Sequence, residues 1–268
     1  MEPNNINTKK IYFTITDESE IRNGIQLKDG LNVVENSEEI PTEFDCNYEP
    51  YVPNLLYFTE PDRICAYMAY GIYLREVYLP DDPKLRITKM DNFPCKKSMM
   101  YGANMIILGK RHNLSDPKTY EFIKNCGGDL RYDGDNALLM AAEDGYFEVV
   151  KYLISEGLDV RSDFDYALRS AAEKGHIKIV ELLLENGADI SSGNHWPLKF
   201  AALEGQFEMV KYLISKGADV RADNYKAIKF AIQKNHDEIV DYMIDLCTEL
   251  HSEDETDDDE TDDDDDDE

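Results

Sequence analysis

The sequence predicts an α+β N-terminal domain, followed by an all-α solenoid of repeated helix pairs and a disordered acidic tail. Three observations support this fold class. Residues 1–96 contain short runs of β-branched and aromatic residues that Gly, Pro, Asn and Asp separate. A unit of 30 residues then recurs through the second half of the chain. The last sixteen residues, 253–268, carry fourteen carboxylates and no base, a composition that cannot bury a core.

Length and charge narrow the classes of protein to consider. At 268 residues the chain can hold two ordinary domains, and its 42% hydrophobic content is typical of folded proteins. The formal net charge is −28, and without the fourteen acids of the tail it is still −14. Nucleic acid and anionic membrane are therefore not expected as partners, because both bind clustered Lys and Arg.

The sequence shows no secretion signal, membrane span or metal motif. The chain opens with Met1-Glu2-Pro3-Asn4, and no later run approaches the roughly eighteen apolar residues that cross a bilayer. Five cysteines are scattered without a Cys-x-x-Cys pair, so neither a disulfide framework nor a zinc site is indicated. We expect a soluble intracellular protein with buried thiols, no metal and no cofactor.

The apolar runs of residues 1–96 predict a small α+β domain. One helix is expected between Pro61 and Tyr70, with Ile64, Cys65 and Met68 on its inner face. Five runs rich in β-branched and aromatic residues are expected as strands: 11–15, 31–34, 55–58, 73–79 and 85–87.

The second half is organised by residue types that recur every 30 residues. Each unit is expected to form two short helices, the first burying a pair of small residues and the second ending at a glycine. The recurring positions include Ala141-Ala142, Ala171-Ala172, Ala201-Ala202 and Ala231-Ile232; Gly145, Gly175, Gly205 and Asn235; and Gly157, Gly187 and Gly217. Residues 131–250 are therefore predicted to hold four repeats.

The ranges on either side of the four repeats are assigned on separate grounds. Residues 97–130 are predicted to form a degenerate capping repeat, because only Ile123, Gly127 and Asp129 keep their places in it. Residues 251–268 are predicted to form the disordered acidic tail, since dense like charge favours an extended, solvated chain.

The stretch from Ala171 to Ile190 closely resembles the consensus of the ankyrin repeat family. The resemblance implies a solenoid of helix pairs that binds another protein. Two features depart from the family pattern: the period is 30 rather than 33, and the usual Thr-Pro-Leu-His opening is replaced, for example by Tyr166-Ala-Leu-Arg169. In the first half, 54–59 and 70–80 resemble the opening domain of ankyrin proteins encoded by giant DNA viruses of amoebae. That resemblance implies the host cytoplasm or the virion as location.

Two functions stay open at this point. The favoured one is a non-catalytic interaction module that uses the concave ankyrin face to bind a host or viral protein. The alternative is an enzyme with its active site in residues 1–96 and repeats that select the substrate. Its polar candidates are Glu60, Asp62, Arg75 and Glu76, but no nucleophile elbow, P-loop or metal cluster accompanies them. We expect these charges to be solvated and assign no catalytic residue.

Protein binding is expected to use loop tips and exposed first-helix positions, because the remaining repeat residues are committed to the stack. Trp196 is the strongest candidate, since it is the single tryptophan of the chain. The alternative for several aromatics is packing against adjacent repeats. The candidate residues are Phe164, Tyr166, Arg169, His195, Trp196, Lys199, Phe200, Tyr225 and Phe230. His176 and His236 are expected to pack and hydrogen-bond rather than bind metal.

The acidic tail has two possible roles. The favoured role is to keep the protein soluble and shield the last repeat, in which case its deletion leaves partner affinity unchanged at every salt concentration. The alternative is mimicry of nucleic acid or contact with a basic partner, in which case deletion weakens binding most at low salt.

Overall fold

The structure is a computed structural model that describes residues 10–22, 25–34, 55–90 and 100–254. It divides into two compact units. The first is Met1–Ala141 with Tyr146–Asp159, and the second is Ala142–Gly145 with Val160–Glu268. The first unit therefore joins the strand-rich part of the chain to the earliest helices, and the second contains the later repeats.

The strands of the first unit are antiparallel to their neighbours. Their bounds are β1 Tyr12–Thr16, β2 Ile21–Arg22, β3 Ile25–Gln26, β4 Gly30–Val33, β5 Leu56–Phe58, β6 Tyr73–Tyr78, β7 Ile87–Met90, β8 Met100–Ala103 and β9 Met105–Asn113. They form a four-stranded sheet of order β1-β6-β9-β4, a three-stranded sheet of order β5-β8-β7 and a β2-β3 hairpin. The five strand runs expected within residues 1–96 therefore each contribute to a strand, the last of them shifted to begin at Ile87.

Aromatic and apolar side chains fill the core of the first unit. The rings of Tyr12 and Phe58 meet edge to face at 5.2 Å between centroids, and Phe58 stacks on Tyr101 at 5.5 Å. A 3₁₀ helix at Pro61–Tyr70 covers this core and buries Ile64, Cys65 and Met68, the three residues that the sequence placed on its inner face.

Nine α-helices lie in the described part of the chain. Their bounds are α1 Pro117–Asn125, α2 Tyr132–Glu143, α3 Phe147–Ser155, α4 Ser162–Glu173, α5 Ile177–Glu185, α6 Ser192–Leu203, α7 Phe207–Ser215, α8 Ala222–Gln233 and α9 Asp237–Asp254. From α1 onward, every second helix starts 30 residues after the previous one of its kind. Four such helix pairs, from α2–α3 to α8–α9, span residues 132–254.

Residues 97–130 differ from the expected degenerate repeat. Strands β8 and β9 occupy residues 100–103 and 105–113 and pair with strands of the N-terminal domain. Only α1 follows the repeat pattern, as the counterpart of a second helix. The physical reason is the continuous apolar run Met-Ile-Ile-Leu at 105–108, which is suited to a strand with neighbours on both edges.

The first helix of each repeat begins with three residues in the left-handed conformation, with φ between 51° and 69°. These triplets are 133–135, 163–165, 193–195 and 223–225. The right-handed helix then starts at the four positions expected from the sequence, which are Asn136, Tyr166, Trp196 and Lys226. Asp, Asn and Gly dominate the triplets because they tolerate positive φ best. This compact turn fits the 30-residue period, which leaves no room for a longer hairpin.

Helix α9 is longer than the other second helices and extends to Asp254. At the equivalent position the earlier repeats end their second helix at a glycine with positive φ, such as Gly217 at +97°. The last repeat has Cys247 there, so this stop signal is missing and the helix continues. Residues 251–254, expected as the start of the tail, therefore belong to α9; residues 255–268 lie outside the described part.

Gly205 follows the first helix of its repeat and Gly217 follows the second. Substitutions at these two positions test how closely neighbouring repeats approach. Gly205 has φ of +74°, and a Cβ there would lie 2.6 Å from the imidazole Cε1 of His236 in the next repeat. Gly217 has φ of +97° with nothing within 4 Å. We expect Gly205→Ala to lower the free energy of unfolding by about 2 kcal/mol, and Gly217→Ala by about 1 kcal/mol from backbone strain alone. Urea denaturation checks this, and equal losses would contradict a close contact at Gly205.

Candidate protein-binding surface

An aromatic and basic surface runs across the first helices of the second unit. The apolar positions of these helices, such as Ala171, Ala172 and Leu168, are fully buried. Residues at the first, fourth and fifth places of the right-handed segment share another face, because they are three or four residues apart. We name this surface the basic–aromatic strip, and its members are Tyr166, Arg169, Trp196, Phe200, Lys226, Lys229 and Phe230.

Arg169 is surrounded by three of the rings in the strip. Its guanidinium carbon lies 3.6 Å from the ring centroid of Tyr166, 4.9 Å from that of Phe200 and 5.5 Å from that of Trp196. Such cation–π contacts orient a planar cation. The Nε donor of Arg169 is buried and makes no hydrogen bond within the described residues. The side chain is half-buried, so the arrangement can present N–H donors to a carboxylate or carbonyl of a partner.

Trp196 lies half-buried at the start of the right-handed part of α6. A Cβ at Gly193 would come within 2.1 Å of its indole ring, so the ring packs directly on that backbone. The equivalent residues of the other turns are Asp133, Asp163 and Asp223. Gly193 is therefore the residue that makes room for the tryptophan, and the indole is held in place rather than free to rotate.

The strip carries positive charge in an acidic protein. The right-handed segments 166–173, 196–203 and 226–233 contain four bases and one acid; the buried Lys199 is paired with Asp223, which leaves three bases in the strip. Lys226 lies with its ammonium 5.0 Å from the Phe230 ring centroid, and Lys229 is exposed. The bases of the strip thus favour anionic groups, and after the hydrogen bond from Lys199, the charges of Lys226 and Lys229 already help to lower the pKa of the neighbouring Asp223 carboxyl.

Phe164 projects from the turn before α4's right-handed segment. It is 73% exposed and has φ of +59°, a conformation unfavourable for a bulky residue. The equivalent positions of the other repeats hold Gly134, Asn194 and Asn224, residue types that accept this conformation. Phe164 therefore costs stability without gaining burial, a combination that is common at binding sites.

Two of the candidate residues instead hold neighbouring repeats together. Lys199 was expected to face a partner, but it is only 4% exposed and its Nζ lies 3.0 Å from Oδ2 of Asp223 in the next turn. That expectation of exposure is wrong, because the side chain reaches across to the following repeat. The hydrogen bond from Lys199 and its charge hold the pKa of the Asp223 carboxyl below its usual range.

His195 also connects two turns. Its Nδ1 accepts a hydrogen bond from the backbone amide of Asp219 at 3.4 Å. Asp165, at the same place in the preceding repeat, accepts from the amide of Asp189 at 2.8 Å. Tyr225 occupies the same place in the following repeat and is half-buried. His195 and Asp165 therefore contribute to turn geometry.

A ladder of side chain to backbone hydrogen bonds links successive repeats. The Nε2 groups of His176 and His236 donate to the carbonyls of Glu143 at 3.0 Å and Leu203 at 3.1 Å. Gln206 donates in the same way to the carbonyl of Glu173 at 3.2 Å. Both histidines therefore pack and hydrogen-bond between repeats, as the sequence predicted, and Gln206 is the member that sequence reasoning missed.

The polar residues of the first unit are mostly paired with one another. Arg75 was expected to be solvated, yet it is 3% exposed and forms ion pairs with Glu20 and Asp29. That expectation is wrong because the loop between β3 and β4 and the bend before β2 bring two carboxylates over β6. Of the other candidates, Glu60 contacts Lys10, with 3.1 Å between the charged atoms.

Glu76 is the centre of a second cluster. Its carboxylate contacts His112 Nε2 at 2.8 Å and accepts from the Tyr78 hydroxyl at 2.9 Å. Burial raises the pKa of the nearby Cys126 thiol, and the charge of Glu76 raises it further, which opposes formation of a nucleophilic thiolate. Within the described ranges, no three His, Cys, Asp or Glu side chains lie close enough to hold a metal ion.

The fold and the strip define a helical-repeat protein with a partly exposed first-helix surface. The family "Ankyrin repeats (3 copies)" matches residues 107–194 and 193–254, more than half of the chain. The chain therefore belongs to the ankyrin repeat family. In the part of the chain that the structure describes, no helix has the length and apolar character needed to cross a membrane.

Similar proteins come from Acanthamoeba polyphaga mimivirus. "Putative ankyrin repeat protein R838" is 75% identical over 148 residues, which is 55% of this chain and 54% of the relative. "Uncharacterized protein R869" is 40% identical over 147 residues, 54% of this chain and 98% of the relative. The match thus spans about half of the first relative and nearly all of the second.

Proposed function

We propose that this chain is a protein–protein interaction module whose basic–aromatic strip binds a host or viral protein. The observation that carries the proposal is the half-buried Arg169, whose guanidinium is framed by the rings of Tyr166, Trp196 and Phe200. Aromatic and arginine side chains of this kind are enriched at binding hot spots. Membership of the ankyrin family supports protein binding as the general role, and the viral relatives support a host or viral partner.

The strip differs from the rest of the stack in what its residues contribute. Ala171, Val180 and Leu183 are fully buried and needed for packing. The hydrogen-bond ladder and the Lys199–Asp223 pair connect the repeats. The strip side chains contact one another between repeats, as Arg169 does with Trp196 and Phe200, but each is half-buried or exposed and so keeps some surface open to solvent. That remaining surface is what a partner can contact.

Affinity purification from mimivirus-infected amoebae tests the proposal. The full chain is compared with Arg169→Ala and with Lys178→Ala, an exposed base on the second helix α5. We expect wild type and Lys178→Ala to recover the same protein, and Arg169→Ala to recover at least about tenfold less of it. The interaction is then measured with purified components. Equal recovery by Arg169→Ala, with an unchanged melting temperature, would exclude the strip as the binding surface.

Phe164 allows fold stability and binding to be separated. We expect Phe164→Asn to raise the free energy of unfolding by about 1 kcal/mol, because Asn accepts positive φ and little burial is lost. The same change should weaken partner binding by about 1–2 kcal/mol if Phe164 anchors the interface. Urea denaturation and calorimetry measure the two effects. Phe164→Tyr, which keeps the ring and the strain, is the control; a destabilised Phe164→Asn would contradict the strain argument.

A further inference from the structure

We propose that the strip is also the docking site of the chain's own acidic C-terminal segment, residues 255–268, which competes with the protein partner. This inference rests on the proposed function of the strip. Residues 255–268 contain twelve carboxylates and no base. The strip supplies the complementary chemistry within the same molecule, through Arg169, Lys226 and Lys229.

The charges of the strip are suited to an extended acidic segment. Arg169 and Lys229 hold the same place in their repeats, so they recur along the stack as a row rather than as a point. Lys199, between them, is committed to Asp223, but Lys229 is exposed and Lys226 is half-buried. Carboxylates along one extended segment can therefore contact several of these bases at the same time.

The acidic segment is long enough to reach the strip. Its fourteen residues span about 46–50 Å when extended. The segment leaves from the end of α9, which has eighteen residues where α7 has nine. To run back alongside the nine extra residues of α9, the segment uses about 14 Å of its length, because a helix rises 1.5 Å per residue. Crossing from α9 over α8 to α6 adds about 20 Å at the usual 8–10 Å between packed helices. Trp196 and Lys226 therefore lie within reach, and Arg169 lies near the limit.

The tethered segment is favoured over an acidic partner in trans. A separate anionic protein has to approach a molecule with a net charge of −28, which slows encounter. The chain's own segment is already present at the millimolar effective concentration typical of short linkers. It therefore occupies the strip first, and a partner that binds there has to displace it.

Trp196 reports on this docking directly, because it is the single tryptophan and lies in the strip. Acrylamide quenching of its fluorescence is measured without any partner for the full chain, for a chain ending at Asp254, and for a chain in which the twelve acids are Asn or Gln. At low salt the quenching constant should be about twofold higher in both altered chains, as expected when most molecules carry a docked segment. At 1 M salt, where screening acts over about 3 Å, all three chains should agree.

Charge-matched variants locate the docking site. Lys226→Gln with Lys229→Gln should abolish the difference between the full and shortened chains, whereas Lys178→Gln with Lys211→Gln, on the second helices, should leave it intact. A neutral segment that shields Trp196 as well as the acidic one, or no effect of shortening, would overturn the proposal. Shielding that grows with protein concentration would overturn it in favour of a second copy as the occupant.

The proposal and the function on which it rests fail separately. Absence of a tail effect on Trp196 leaves partner binding by the strip untouched. If the tail shields Trp196 but Arg169→Ala still recovers the partner, the protein-binding proposal fails and the docking proposal stands.

Discussion

Replacement of Trp196 by alanine is expected to weaken partner binding by about 2 kcal/mol or more, which is close to a 30-fold rise in the dissociation constant. The indole packs on Gly193 and lies 5.5 Å from the Arg169 guanidinium, so its loss removes a large contact area and loosens the arginine. Calorimetry with the purified partner measures the change. Circular dichroism should show the same helix content as in wild type.

Two further variants separate recognition from stability at this position. Trp196→Phe keeps a ring over Gly193 and should recover most of the affinity. Gly193→Ala acts from the other side, because its Cβ would collide with the indole and displace it. We expect Gly193→Ala to reduce binding as well, with Trp196 still present. Loss of folding in Trp196→Ala, rather than loss of binding, would identify the indole as part of the packing core.

Replacement of Leu183 by alanine is expected to lower the free energy of unfolding by about 3 kcal/mol. Leu183 is fully buried in α5, a helix that packs against α4 of the same repeat, so the truncation removes apolar contacts and leaves a cavity. Urea denaturation followed by far-ultraviolet circular dichroism measures the loss.

Leu182 provides the matched control, since it is the same residue type one position earlier on the same helix and is only half-buried. Leu182→Ala should cost less than half as much, because fewer contacts are lost and solvent can fill the space. Similar costs at the two positions would mean that α5 does not use the face that its apolar spacing predicts.

Much of the second unit could be predicted from the sequence because its constraints are local and repeat. A glycine such as Gly175 ends a helix through its own backbone, and paired alanines allow close helix approach wherever they recur. The left-handed triplets were not predicted, although Asp-Phe-Asp at 163–165 and Asp-Asn-Tyr at 223–225 contain the residues that such turns require. Phe164, His195 and Tyr225 also adopt positive φ, and such residue types give no local indication of that conformation.

The features that the sequence did not reveal depend on partners distant in the chain. Lys199 looks equivalent to Lys229, yet one is buried and the other exposed, because only Lys199 has a following turn with Asp223 in place. Arg75 is buried because Glu20 and Asp29 reach it from separate loops. The sequence did not reveal strand β9, because the strands that pair with it, β4 and β6, come from distant parts of the chain.

The last repeat lacks the glycine against which the next repeat packs elsewhere in the stack. In the earlier repeats the second residue after the first helix is glycine, and the next repeat's His176, Gln206 or His236 occupies the space that a side chain would need. The last repeat has Asn235 there, also at positive φ, and its Cβ would stand in the way of an incoming ring. We therefore expect this side chain to disfavour head-to-tail addition of a second molecule, which would generate an open-ended fibre.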